Sequence, residues 1–89
     1  MSEPFIPGLY QHYKGGLYRG LFLGRLSEQR EIEMVNYIPL TPNPGSPYPQ
    51  GQPWIRPYKI PVLEGDDCWC DIVEWPDGSK KQRFVRIGD

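Results

Sequence analysis

Histidine occurs once in this chain, at position 12, and cysteine twice, at positions 68 and 70. A zinc site takes four ligands, so with His12 as the only soft ligand outside the cysteines no metal or other cofactor is expected. The cysteines lie two apart in "CWC". On a strand their Cα atoms would stand about 6.5 to 7 Å apart, too far for an easy disulfide. No apolar run approaches the roughly 18 residues of a membrane span, and the opening "MSEPFIPG" lacks the basic and apolar regions of a signal peptide. The expectation is a cytoplasmic protein with no membrane attachment. Charge of one sign is lacking too: ten Lys and Arg against eleven Asp and Glu leave a net charge of -1, which does not draw in nucleic acid as a whole. G-x-S-x-G, H-E-x-x-H and phosphate-loop patterns are absent, so no catalytic residue is assigned and an enzyme is the weaker expectation.

What the chain has is aromatic rings and backbone punctuation. Three Trp, six Tyr and three Phe sit in 89 residues with ten Gly and eleven Pro. A chain this short forms one domain, residues 1–89, and buries roughly 60 to 65% of its unfolded surface, so large rings are the economical way to build its core. The frequent Gly and Pro break the chain into short pieces and disfavour long helices.

Along the chain, "LYRGLFLGRL" (17–26) has the apolar run of a strand, with Gly20 and Gly24 leaving room for a bend or a close approach. A polar connection, "LSEQRE", leads to a second strand in "IEMVNYIPL" (32–40). The stretch 41–53 is a stiffened loop: with Pro39 it brings six prolines, and its "PGSP" fits the PxxP pattern of polyproline ligands, although a plain surface loop explains it more simply. A third strand, "PWIRPYKI" (53–60), carries Pro57, which cannot donate to a ladder and so belongs at an edge or bend. Last comes a hairpin, "CWCDIVEW" and "KKQRFVRI" around "PDGS", where Pro fixes φ, Asp bonds back to the backbone and Gly takes positive φ. About five antiparallel strands without a sizeable helix suit a small barrel or roll better than a sandwich.

Four pieces in order, "HYKGGLY" from His12, "VNY" from Val35, "WIRP" from Trp54 and "RF" at Arg83-Phe84, resemble the bacterial family known as domain of unknown function 1653. The resemblance implies an SH3-like β barrel or roll and brings no established activity. Leu26 stands where the family typically has His before Ser-Glu, and the Pro-rich loop and "EGDDCWC" look like insertions.

These pieces, with the polar Ser27-Glu28 segment, supply the candidate binding residues: His12, Tyr13, Lys14, Tyr18, Glu28, Tyr37, Trp54, Arg56 and Arg83. Lys14-Gly15-Gly16 reads first as a hairpin turn and second as an anion contact. Trp54 and Arg56 share a strand face, where an indole and a guanidinium can stack on a ring or pair with a carboxylate; the competing structural role is a buried Trp with Arg56 bridged to Glu28 or Glu33. Lys80, Lys81, Arg83 and Arg86 are divided by strand alternation between two faces, as on a solvated edge. The function expected is a non-catalytic binding module with an aromatic and cationic face formed by Tyr10, His12, Tyr13, Lys14, Tyr18, Trp54 and Arg56. Its ligand is expected to be a protein or peptide rather than nucleic acid, and the protein a monomer or weak homodimer. Single-stranded nucleic-acid binding with help from Lys80, Lys81 and Arg86, and a small hydrolytic or nucleotide-processing activity of His12 with Glu28, are the alternatives.

Overall fold

A computed structural model describes residues 5–42, 45–49 and 51–89. They form seven strands: β1 (Gly8–His12), β2 (Leu17–Arg25), β3 (Glu33–Pro39), β4 (Trp54–Pro57), β5 (Ile72–Glu74), β6 (Lys80–Gln82) and β7 (Phe84–Gly88). No helix occurs among the described residues. Five strands make one antiparallel sheet in the order β4-β3-β2-β1-β7, and β5 pairs with β6 in a separate hairpin. The protein is therefore mainly β, and a curled five-stranded sheet is consistent with the SH3-like expectation.

The stretch "LYQHYKGGLYRG" is a hairpin, and β1 precedes the strand expected to come first. Tyr10 pairs with Tyr18 across it. The turn closes by the His12 amide donating to the Gly16 carbonyl (2.8 Å) and the Gly15 amide to the His12 carbonyl (2.8 Å). Gly15 takes φ 104°, which only glycine adopts freely. Farther along β2 a register shift falls between Gly20 and Phe22. A Cβ on Gly20 would stand 2.6 Å from the Phe5 ring and 3.1 Å from that of Tyr10, so the missing side chain is what lets those rings lie against the sheet.

The expected C-terminal hairpin forms, but both of its arms are shorter than the sequence pattern. In the turn the Trp75 amide donates to Ser79 O (2.8 Å), and Asp77 Oδ1 accepts from the Ser79 amide (2.9 Å) and hydroxyl (2.6 Å). All three residues of β6 are exposed, whereas Phe84 is buried. Burying that ring requires the chain to leave the hairpin at Arg83, and β7 pairs with β1 instead, placing Phe84 opposite His12. On the other arm, "CWC" is not strand. Residues 68–71 form a turn in which the Asp71 amide donates to Cys68 O (3.2 Å) and Asp71 Oδ2 accepts from the Cys68 amide (3.0 Å).

That turn closes the roll. β4 and β7 are the two edges of the sheet, and the turn bridges them. The Trp69 amide donates to Pro57 O (2.8 Å), the Cys70 amide to Tyr58 O (3.0 Å) and the Arg83 amide to Asp71 O (2.7 Å). Edge backbone groups that would otherwise be open to another strand are satisfied internally. Pro57 thus lies on an edge strand, as its missing donor requires. Inside, Trp69 stacks on Phe84 at 3.7 Å between ring centres and 6° between planes, with Tyr10, Val35, Tyr37 and Tyr58 around them.

Candidate binding site

The curl of the sheet brings the four motif pieces to one end of the roll. His12, at the end of β1, packs its ring 4.8 Å from Phe84 and 5.9 Å from Tyr18. Tyr18 in turn lies 5.4 Å from Phe84 and 5.6 Å from Tyr37. The Arg56 guanidinium stands 5.6 Å from the centre of the Phe84 ring. Trp54, two residues before it and opposite Tyr37 in the ladder, packs against the same core. Tyr13 carries two cations over its ring, Arg83 at 5.4 Å and Lys14 at 5.7 Å.

Beside this cluster opens a cleft of about 480 Å³, walled by Tyr18, Tyr37, Tyr48 and Trp54 and by Pro39, Pro42 and Pro49. Its volume falls in the range of small-ligand sites, roughly 300 to 1,000 Å³. Tyr48 meets the Trp54 ring edge-on at 4.9 Å. The proline-rich loop is thereby a wall of the cleft. Asn43, Pro44 and Gln50 of that loop lie outside the described residues, and with Pro44 the first residue of its "PGSP". Tyr48 is a site residue that pattern reading missed; its only signal was an aromatic ring among prolines.

Several candidates fall elsewhere. Glu28 sits exposed in the turn after β2, whose end at Arg25 is already seven residues and about 23 Å of strand beyond Tyr18, so the structure does not bring it to His12. Glu33 pairs with Arg25 (3.7 Å) rather than with Arg56. Tyr10 is core, 7% exposed, and donates its hydroxyl to the Ile6 carbonyl. Lys81 covers the Trp75 ring at 4.7 Å on the separate hairpin, while Arg86 pairs with Asp89 at 2.7 Å, which scatters the C-terminal basic residues.

Arg83 is built in. It is 9% exposed, donates Nε to Cys68 O (3.3 Å) and faces Asp67 (3.5 Å) and Asp71 (3.8 Å). Arg56 is held more loosely: Nη1 donates to Asp67 O (2.9 Å), and its buried Nε has no acceptor. Both cysteines are free thiols, and burial pushes both above the ordinary thiol range, away from thiolate reactivity. Among the described residues no three His, Cys, Asp or Glu side chains converge as metal ligands.

Electrostatics hold His12 neutral. Burial, then the positive charges of Arg56, Arg83 and Lys14, lower its pKa from 6.5 to about 4. Nδ1 accepts from the Lys14 amide (3.1 Å), which puts the proton on Nε2. Because the folded protein resists protonating this ring, its effect on stability is nil above pH 6.5, becomes destabilising as pH falls toward 4 and levels off below that. After allowance for solvent screening the loss is about 1 kcal/mol. Denaturation curves between pH 7 and pH 4 should show wild type losing that much more than His12→Gln; parallel pH profiles would contradict the assignment.

The family model described as "Protein of unknown function (DUF1653)" matches residues 8–86. The chain belongs to this family. A solved crystal structure of a DUF1653 protein from Bordetella bronchiseptica is 31% identical, covers 94% of this chain and 88% of its own, and superposes with a TM-score of 0.67. No curated protein matches. In this DUF1653 protein the pieces that carried the resemblance have distinct structural places: "HYKG" ends β1 and makes the first turn, "VNY" lies on β3, "WIRP" is the whole of β4, and "RF" is the switch into β7.

Proposed function

We propose that the protein is a non-catalytic binding module that holds a protein or peptide segment in the cleft between the proline-rich loop and the sheet. The observation that carries this is the wall itself: Tyr18, Tyr37, Tyr48 and Trp54 line one open cleft, with Arg56 and His12 beside it. Aromatic rings offer large contact area at small entropic loss, and proline-lined walls suit extended chains. Among the described residues Glu28, the acid expected to work with His12, lies far from it, which favours binding over turnover. Two free thiols fit a reducing, cytoplasmic setting, and among the described residues no helix is long and apolar enough to cross a membrane.

Capture of octapeptides from a random library by immobilised protein tests the proposal. Trp54→Ala and, separately, Arg56→Gln should each weaken the selected peptides about 30-fold, the effect of losing a contact of about 2 kcal/mol. Far-UV circular dichroism of both variants should match wild type. Peptides held equally well by all three proteins, or an empty selection, would reject this face.

A further inference from the structure

We propose that the segment bound in this cleft is acidic, its carboxylate seated between the Arg56 guanidinium and the Nε2–H of His12 while a neighbouring apolar side chain enters between Tyr18, Tyr48 and Trp54. This deepens the binding-module reading and rests on it. The charges at this end of the roll do not cancel. Arg83 is met by Asp67 and Asp71, but no carboxylate of the described residues comes within 4.0 Å of Arg56 or Lys14. In a chain whose net charge is -1, a half-buried guanidinium without a counter-charge is a local positive site.

The hydrogen-bond inventory points the same way. Among the described residues Arg56 Nε is the one buried side-chain nitrogen or oxygen without a partner. An orphaned donor of this kind costs about 1 to 3 kcal/mol, and because Nε is closed to solvent that cost is recovered only when the Arg56 side chain turns this edge toward an oxygen in the cleft. Guanidinium takes a carboxylate through two parallel N–H bonds, and one edge of Arg56 is uncommitted because only Nη1 is engaged by protein. His12 adds a donor, since its Nδ1 is already occupied by the Lys14 amide. Arg56 and Trp54 are two residues apart on one strand face, about 6.5 to 7 Å, the reach from a side-chain carboxylate to the next side chain of an extended peptide. Three cations, Arg56, Lys14 and Arg83, against the two carboxylates Asp67 and Asp71 leave one surplus charge, which matches a single carboxylate better than the repeated phosphates of a nucleic acid, which demand a longer basic track.

The test uses two octapeptide libraries that differ only in a fixed central Glu or Gln. The full chain should retain the Glu library at least 10-fold more strongly, and Arg56→Gln should erase that preference while Trp54→Ala weakens both libraries alike. In the bound state His12, which faces Tyr13, Tyr18, Lys14, Arg56 and Arg83, should titrate about one unit higher by NMR, because a carboxylate offsets the cations around it. Equal retention of the two libraries would overturn the acidic ligand and leave the cleft reading standing; retention of neither would overturn both. Tighter capture of a single-stranded oligothymidylate than of the Glu library would overturn it in favour of nucleic acid.

Discussion

Trp69→Ala should remove about 3 to 5 kcal/mol of stability. The indole is 1% exposed and touches nearly every part of the core: Phe84 at 3.7 Å, Tyr10 at 5.1 Å, Tyr37 at 5.3 Å and Phe5 at 6.0 Å between ring centres. Alanine leaves a void that these rings cannot fill without tilting off one another, so both transfer free energy and dispersion contacts are lost. A domain of this length has a total stability of only about 4 to 13 kcal/mol, so the variant should be largely or wholly unfolded at modest urea. Trp75 provides the comparison. It packs on the exposed hairpin, donates Nε1 to Gln82 O (3.0 Å), and its replacement by Ala should cost about 1 kcal/mol. Urea midpoints of the two variants check the difference; similar midpoints would show that Trp69 is not the centre of the core.

Arg83→Ala should cost about 2 to 3 kcal/mol. Removing one partner of a buried ion pair typically costs about 3 to 5 kcal/mol, and the lower figure applies because the side chains of Asp67 and Asp71 remain 62% and 43% exposed and can rehydrate. What is lost is an anchor. Arg83 ties residues 67–71 to the start of β7 by Nε on Cys68 O and by its two carboxylate contacts, and that segment closes the roll. Hydrogen exchange of the Trp69 and Cys70 amides should therefore accelerate more than that of the β2–β3 ladder. Arg83→Lys should recover less than half of the lost stability, since one ammonium cannot serve three acceptors in the geometry of a planar fork. Full recovery by lysine, or uniform acceleration of exchange, would argue against this role.

The two predictions concern residues that differ in how visible they were. Arg83 could be marked from "RF", although its neighbours suggested a basic strip rather than a buried anchor. Trp69 looked like one strand residue among several, and nothing in "CWC" showed that it leaves the ladder to form the centre of the core. Residue type alone suggested Glu28 and His12 as acid and base, and the length of β2 separates them. Tyr48 gave the weakest signal, since a ring in a proline-rich loop has no preferred neighbour until the loop folds back on Trp54.

The sequence by itself determined the strand stretches that hold β2, β3 and β4, the hairpin turn at Pro76-Asp77-Gly78, the turn at Lys14-Gly15-Gly16 and the place of Pro57 at an edge or bend. Each follows from short-range sterics and hydrogen bonding, which neighbours in the chain decide among themselves. Tertiary structure alone decided that β7 abandons its hairpin for β1, that residues 68–71 bridge the two sheet edges, and that Arg56 comes to rest beside His12. Those outcomes depend on which distant segments bury the most ring surface together, a competition over the whole chain that no local pattern expresses.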